Sequence, residues 1–102
     1  AYGTDLFTNK KSKTNEEVSR RMLESVIPAL EETAEWSPEA IHGCLTGLAE
    51  KLEVKNATLM WPVRIAAAGR AVTPGGAVEI CCILGRDECL RRLRVGLEML
   101  EA

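Results

Sequence analysis

Two arginines and a glycine-containing turn in the second half of the chain have the chemistry of a binding site. Arg64 and Arg70 are followed closely by the turn Thr73-Pro74-Gly75-Gly76. A guanidinium is planar, permanently charged and carries five N–H donors. A turn of this composition starts a helix, and the first N–H groups of a helix lack partners and carry partial positive charge. Residues 61–76 hold no carboxylate, histidine or cysteine, so the pattern predicts a site that holds an acceptor-rich ligand without transforming it.

The residues that most often perform catalysis or bind metal are sparse. The cysteines and the single histidine form neither a C-x-x-C nor an H-x-x-x-H pair, the usual spacings of zinc ligands; they are Cys44, Cys81, Cys82, Cys89 and His42. Most of these cysteines sit in apolar helical patterns, where cysteine acts as a small hydrophobic residue. The sequence predicts no catalytic residue, no metal site and a reduced, cytoplasmic protein.

Charge is unevenly distributed along the 102 residues. The net charge is −2, but residues 1–50 carry −4, residues 51–94 carry +4 and the last eight residues carry −2. A basic half on an acidic protein indicates a face that meets phosphates. Ordinary solvated helix faces are the alternative explanation.

The first half predicts two helices behind a short entry segment. Residues 1–13 are expected to form an extended lead-in, pinned by Tyr2, Leu6 and Phe7. Thr14 and Glu17 fit a capping box that opens the first helix. Pro28 lies inside its apolar stripe and predicts a kink or break. Ser37-Pro38 then predicts an N-cap followed by proline at the first helical position.

The second half predicts three more helices. The third covers 59–68 and ends at Gly69, and Thr73-Pro74 caps a fourth that runs to about 84 and stops at Gly85. Residues 77–84 also fit a buried strand, but the Thr-Pro start and the lack of a partner strand favour a helix. Arg86 or Asp87 opens the last helix, with its leucines inward at Leu90, Leu93, Leu97 and Leu100. We therefore expect an all-α protein, a single compact bundle of about five helices over 14–102.

The hydropathy of the chain bears on membrane insertion, and its first residue on whether it is part of a longer protein. No run of about twenty apolar residues is present, so the sequence predicts no membrane span. The first residue is alanine, and we expect the chain to be a fragment of a longer protein.

Four segments in order resemble one family. They are Pro62-Val63-Arg64-Ile65-Ala66, Gly69-Arg70, Thr73-Pro74-Gly75-Gly76, and the 84–93 stretch that reads Leu-Gly-Arg-Asp-Glu-Cys-Leu-Arg-Arg-Leu. Their sequence and spacing resemble the C-terminal anticodon-binding region of bacterial glutamyl-tRNA synthetases, the helical anticodon-binding domain of class I synthetases. The resemblance is strong over 51–93 and weaker from about residue 5.

The resemblance implies a function and a set of contacts. It implies that Arg64 and the turn Thr73, Pro74, Gly75 and Gly76 contact the anticodon of a glutamate tRNA. Candidate phosphate contacts, from basic residues that fit such a role, are Lys11, Lys13, Arg70, Arg86 and Arg91. The parent enzyme would be a monomeric, cytoplasmic ligase that attaches glutamate to its tRNA with ATP and magnesium, whereas this fragment would hold no cofactor.

Alternatives remain at this stage. Ala68 replaces the family's small hydroxyl residue, and Gly76-Ala77-Val78 departs from a Leu-Phe pair found in some members, which puts an apolar base contact in doubt. Arg64 could instead pair with Glu79. The parent enzyme could also charge glutamine tRNA, and a helical protein–protein interaction module would share much of this pattern.

Overall fold

Apolar residues at helical spacing form five α-helices in the computed structural model, which describes residues 4–69 and 75–101. One turn of 3-10 helix, Thr4–Phe7, precedes them. The helices are α1 (Glu16–Glu31), α2 (Pro38–Lys51), α3 (Asn56–Ala68), α4 (Ala77–Leu84) and α5 (Arg86–Glu101). The expected all-α bundle is confirmed, and residues 77–84 form the predicted helix and not a strand.

Three predicted helix boundaries rest on local chemistry and are confirmed. The Ser37 hydroxyl accepts a 3.2 Å hydrogen bond from the Ala40 N–H, with Pro38 at the first helical position. Gly69 ends α3 with φ of 73°, and Gly85 ends α4 with φ of 81°. Side chains with a Cβ rarely adopt these left-handed conformations, so glycine stops both helices at low cost.

The start of α1 corrects the predicted capping box. Asn15, and not Thr14, is the N-cap, because its side chain accepts a 2.9 Å hydrogen bond from the Val18 N–H. Thr14 is buried, and its hydroxyl lies 3.0 Å from that of Ser19. Ser19 in turn donates to the Phe7 carbonyl at 3.2 Å. The Thr14 hydroxyl is therefore used to hold the entry segment and not to cap the helix.

Pro28 does not break α1. The helix runs on to Glu31, and the Glu32 N–H still donates to the Pro28 carbonyl at 3.2 Å. Proline removes one backbone donor wherever it sits in a helix. For Pro28 the lost hydrogen bond is the one to the carbonyl of Glu24, one turn earlier, and the helix continues to Glu31 in spite of it.

The entry segment is folded and not extended as expected. Thr4–Phe7 forms one 3-10 turn, and Phe7 is fully buried while Leu6 packs against the core. Asn9 and Thr14 then exchange backbone hydrogen bonds of 2.9 and 3.1 Å across an isolated antiparallel bridge. Leu6 and Phe7 thus pin the segment as predicted, whereas Tyr2 lies outside the described residues.

Helix α3 is the centre of the bundle, because it packs against each of the other four helices and the 3-10 turn. It begins three residues before the predicted start and buries Leu59, Val63 and Ile65 completely. In α5, Leu90 and Leu93 are buried and Leu97 and Leu100 pack against the core, as their spacing predicted. The remaining fully buried aliphatic positions come mainly from α1 and α2 and include Leu23, Val26, Leu30, Ile41 and Leu45.

Candidate functional site

Arg64 lines a cavity together with the start of α4. The cavity has a volume of about 220 Å³ and its wall includes Trp61, Arg64, Gly76 and Ser12, with Ala57, Met60 and Ala77 completing it. Arg64 is half-buried between two fully buried neighbours in α3, Val63 and Ile65. The core therefore fixes the helix face from which the guanidinium projects. We call this space the Arg64 cavity.

Trp61 is the residue of this cavity that the sequence analysis missed. The Arg64 Cζ atom lies 5.4 Å from the centroid of the Trp61 ring, within the range of a cation–π contact. The indole Nε1 donates a 2.9 Å hydrogen bond to the Leu6 carbonyl, which fixes the ring. A signal was available in the sequence, because residues three apart in a helix lie on the same face.

The start of α4 differs from the prediction. Its N-cap is Gly76, which supplies no side-chain hydrogen bond, and the helix begins at Ala77. The expected cap, Thr73, and its neighbour Pro74 lie outside the described residues, as does Arg70. Of the predicted anticodon-contacting residues, the structure brings Arg64 and Gly76 to one cavity.

A carboxylate lies against this turn. The Glu79 side chain runs so close to the backbone that a Cβ on Gly75 would lie 3.1 Å from the Glu79 Cβ, and one on Gly76 would lie 3.0 Å from its Oε2. A negative charge here opposes a phosphate, so the backbone donors of this turn suit the neutral edge of a base.

A second, wider cavity adjoins the Arg64 cavity at Gly76. Its volume is about 450 Å³ and its wall includes Glu39, His42 and Glu79, with Pro38, Met60, Ala77 and Val78 as apolar lining. Met60, Gly76 and Ala77 are common to both cavities. Glu39 and Glu79 therefore line the wider cavity, whereas Arg64 lines the adjoining one.

A lysine-containing loop lies at the Arg64 side. Residues 10–13 connect the bridged pair Asn9 and Thr14, and both predicted phosphate contacts, Lys11 and Lys13, are exposed. The Thr58 hydroxyl in the first turn of α3 donates a 2.6 Å hydrogen bond to the Ser12 carbonyl. Since Ser12 lines the Arg64 cavity, the fold places these lysines beside it.

Arg86 is engaged in the interior. Its guanidinium donates to the Thr33 carbonyl, and its Cζ lies 5.6 Å from the centroid of the Trp36 ring. Its Nε is buried and has no hydrogen-bond partner. Arg86 does not line the Arg64 cavity, and its proposed phosphate contact remains a prediction.

Arg91 belongs to a charged cluster on α5. It donates two hydrogen bonds to the Glu88 carboxylate, at 2.9 and 2.7 Å, and Arg92 donates a third at 2.7 Å. The hydrogen bonds from Arg91 and then Arg92 lower the pKa of Glu88 to about 2. Arg91 and Arg92 line a separate cavity of about 260 Å³ beside the end of α3, so a phosphate contact from Arg91 would lie outside the Arg64 cavity.

Residues 4–69 and 75–101 contain no group of three or more histidine, cysteine, aspartate or glutamate residues that could hold a metal ion. Over the same residues, each helix is too short or too polar to cross a membrane. The geometry supplies a guanidinium over an aromatic ring, a helix start without a side-chain cap, and a basic loop.

Comparisons with known proteins agree with this chemistry. The chain is 46% identical over 98% of its length to the glutamate–tRNA ligases of Clostridium tetani and of Clostridium novyi. It is 43% identical over 99% of its length to that of Clostridium botulinum strain Hall. The chain spans about a fifth of the length of these relatives.

The family comparison covers almost the whole chain. The model described as the anticodon binding domain matches residues 1–97. That span includes the basic loop, the Arg64 cavity and most of α5. The chain therefore belongs to the anticodon binding domain family.

Proposed function

We propose that the domain binds the unpaired bases of a tRNA anticodon loop, as part of a longer glutamate–tRNA ligase. The observation that carries this proposal is the meeting of Arg64, Trp61 and Gly76 around one cavity. Unpaired bases can be splayed out, stacked on aromatic or guanidinium planes and read along their hydrogen-bonding edges. The cavity offers each of these contacts.

We assign the contacts by charge. Arg64 and the turn residues Gly75 and Gly76 contact base edges, together with Thr73 and Pro74. The Trp61 ring holds the Arg64 guanidinium in place through their cation–π contact. Lys11 and Lys13 contact phosphates, because they are exposed and flank Ser12, which lines the cavity. Arg70, Arg86 and Arg91 remain candidates for further phosphate contacts.

The rest of the parent protein would perform the chemistry. The similarity to glutamate–tRNA ligases supports a parent protein that attaches glutamate to tRNA, and such a reaction requires ATP and magnesium in another part of the protein. This domain contributes recognition and no catalytic group. We further propose that the parent enzyme is monomeric and cytoplasmic, and that glutamate tRNA is its substrate.

The test measures binding of the 102-residue chain to a fluorescent anticodon stem–loop of glutamate tRNA, with a scrambled-loop version of the same stem as control. Binding should favour the native loop and weaken as salt rises, because lysine–phosphate contacts release counterions. A glutamine anticodon stem–loop in the same series tests whether the domain also accepts that tRNA.

A matched pair of variants locates the site. Arg64→Ala should weaken native-loop binding roughly ten- to a hundredfold, the cost of a hydrogen bond from a charged group. Arg21→Ala removes an equally charged but exposed arginine, paired with Glu17 on α1, and should leave binding unchanged. Equal binding of both loops by the unmodified chain contradicts the proposal and favours a protein–protein interaction module.

A further inference from the structure

The wider cavity beside the Arg64 cavity has the size and lining of a binding pocket. Its volume of about 450 Å³ lies within the range of small-molecule sites, about 300–1,000 Å³. The half-buried side chains of Met60 and Val78 give it an apolar wall. Its acidic groups are the carboxylates of two exposed residues, Glu39 and Glu79. We call this space the acidic cavity.

The two cavities are continuous at the turn before α4. Met60, Gly76 and Ala77 line both of them. Glu79 reaches the same point, because a Cβ added to Gly76 would lie 3.0 Å from its Oε2 atom. Since glycine has no Cβ, a group bound against this backbone can approach the carboxylate closely. A ligand that crosses the turn therefore passes from the Arg64 guanidinium to a carboxylate.

The hydrogen-bonding characters of the two cavities are opposite. The Arg64 guanidinium only donates, whereas the ionised carboxylates of Glu39 and Glu79 only accept. His42, on the wall of the acidic cavity, adds a ring N–H that can donate beside those acceptors. Uracil presents carbonyl oxygens, which suit a guanidinium, whereas cytosine and adenine present an amino group, which suits a carboxylate. The acidic cavity thus matches cytosine or adenine.

We propose that the acidic cavity holds the base next to the one in the Arg64 cavity, and that Glu79 selects a base with an amino group. This inference rests on the proposed function. An anticodon that pairs with the glutamate codons GAA and GAG has uracil in its second position and cytosine in its third. The uracil lies in the Arg64 cavity, and the cytosine lies in the acidic cavity with its N4 amino group donating to Glu79.

Charge keeps the RNA backbone out of the acidic cavity. A phosphate there would be repelled by two carboxylates, whereas a neutral base would not. Lys11 and Lys13 are exposed and flank Ser12 on the wall of the Arg64 cavity, where they attract phosphates. A lysine or arginine of a partner protein would also suit the carboxylates. The continuity of the acidic cavity with the Arg64 cavity favours a base.

The test compares two anticodon stem–loops that differ in one base. The folded 102-residue chain is titrated, by fluorescence anisotropy, with the native loop and with a loop whose third anticodon base is uracil instead of cytosine. Uracil keeps the pyrimidine ring but has an oxygen in place of the amino group. The unmodified chain should bind the uracil loop roughly tenfold more weakly, which is the discrimination typical of one well-placed base contact.

Glu79→Gln should reduce this preference to roughly threefold or less, because the amide can donate to the uracil oxygen as well as accept from the cytosine amino group. Glu50→Gln is the matched control: Glu50 is exposed on α2, lines neither cavity, and its variant should keep the full preference. The ratio of the two affinities is the readout, so a general gain in RNA affinity from the lost negative charge cancels. Circular dichroism checks that both variants are folded.

Two results would overturn the inference and leave the proposed function standing. One is equal binding of the cytosine and uracil loops by an unmodified chain that still prefers the native loop to the scrambled one. The other is a full preference for cytosine in Glu79→Gln, which is expected if the carboxylates serve a basic segment of a partner protein. An unmodified chain that bound the native and scrambled loops equally would overturn both proposals.

Discussion

The hydroxyl of Thr58 donates a 2.6 Å hydrogen bond to the carbonyl of Ser12, joining the first turn of α3 to the lysine-containing loop. Thr58 is 6% exposed, so this contact is shielded from water. It couples the stability of the bundle to the position of Lys11 and Lys13. A change at Thr58 should therefore alter both the stability of the bundle and the binding of RNA.

Thr58→Val should affect both. Valine keeps the shape but leaves the Ser12 carbonyl without its donor, so the free energy of unfolding should fall by about 1 kcal/mol. Stem–loop affinity should fall roughly two- to fivefold as the loop loses order. Urea denaturation and fluorescence anisotropy measure the two effects.

Thr46→Val is the matched control for that prediction. The Thr46 hydroxyl donates within α2, to the His42 carbonyl at 2.8 Å. Its loss should change the free energy of unfolding by no more than about 0.5 kcal/mol. If Thr58→Val left RNA affinity at the level of Thr46→Val, the loop would have no part in binding.

Arg64→Ala in a full-length ligase should slow tRNA charging while leaving amino-acid activation intact. The reason is that Arg64 lies in this domain, apart from the proposed catalytic part of the protein. The loss should appear as a roughly ten- to a hundredfold lower kcat/KM for tRNA. Pyrophosphate exchange and aminoacylation assays separate the steps. Unchanged charging would remove Arg64 from the tRNA site.

Trp36→Phe should destabilise the α4–α5 junction. Phenylalanine keeps a ring for the Arg86 contact but cannot donate to the Cys81 carbonyl. We expect a loss of about 1 kcal/mol in the free energy of unfolding, with an unchanged denaturant slope. Trp36→Ala, which also removes the ring, should cost more. Equal stability of Trp36→Phe and the unmodified chain would show that the hydrogen bond contributes nothing net.

Glu88→Gln should change the response to acid. The folded-state pKa of Glu88 is about 2, below the ordinary value of 4.5, because Arg91 and Arg92 donate to its carboxylate. A lowered pKa adds stability above the unfolded-state value, and that contribution is lost as pH falls through the folded-state value. The unmodified chain should therefore exceed Glu88→Gln in melting temperature above pH 4.5, and the difference should vanish near pH 2. A difference that did not depend on pH would contradict this account.

Helix ends that depend on one or two neighbouring residues could be predicted from the sequence. Ser37 caps α2 through its own hydroxyl. Gly69 and Gly85 end α3 and α4 through their own backbone conformations. The cap of α1 could not, because Thr14 and Asn15 are both competent caps. The Thr14 hydroxyl instead contacts that of Ser19, which donates to the Phe7 carbonyl. This arrangement depends on how the entry segment packs against α1, which the residues around the helix start do not determine.

Some residues of the candidate site could likewise be predicted from the sequence, and others could not. Arg64 and the turn at Gly76 could be identified from residue type and from the family resemblance. Trp61 could be linked to Arg64 by their spacing of three residues, but the contact that fixes its ring could not be predicted. Ser12 could not be identified, since its role depends on a contact between residues far apart in sequence. The Trp61 ring is fixed by Leu6 and the Ser12 loop by Thr58.

The central position of α3 limits how the protein can acquire a new specificity. Substitutions in α3 tend to destabilise the fold, because Arg64 stands between two wholly enclosed aliphatic neighbours. The entry loop with Lys11 and Lys13 carries far less structural burden. Laboratory selection for tighter RNA binding should therefore accumulate changes in that loop before it alters the helix beneath it.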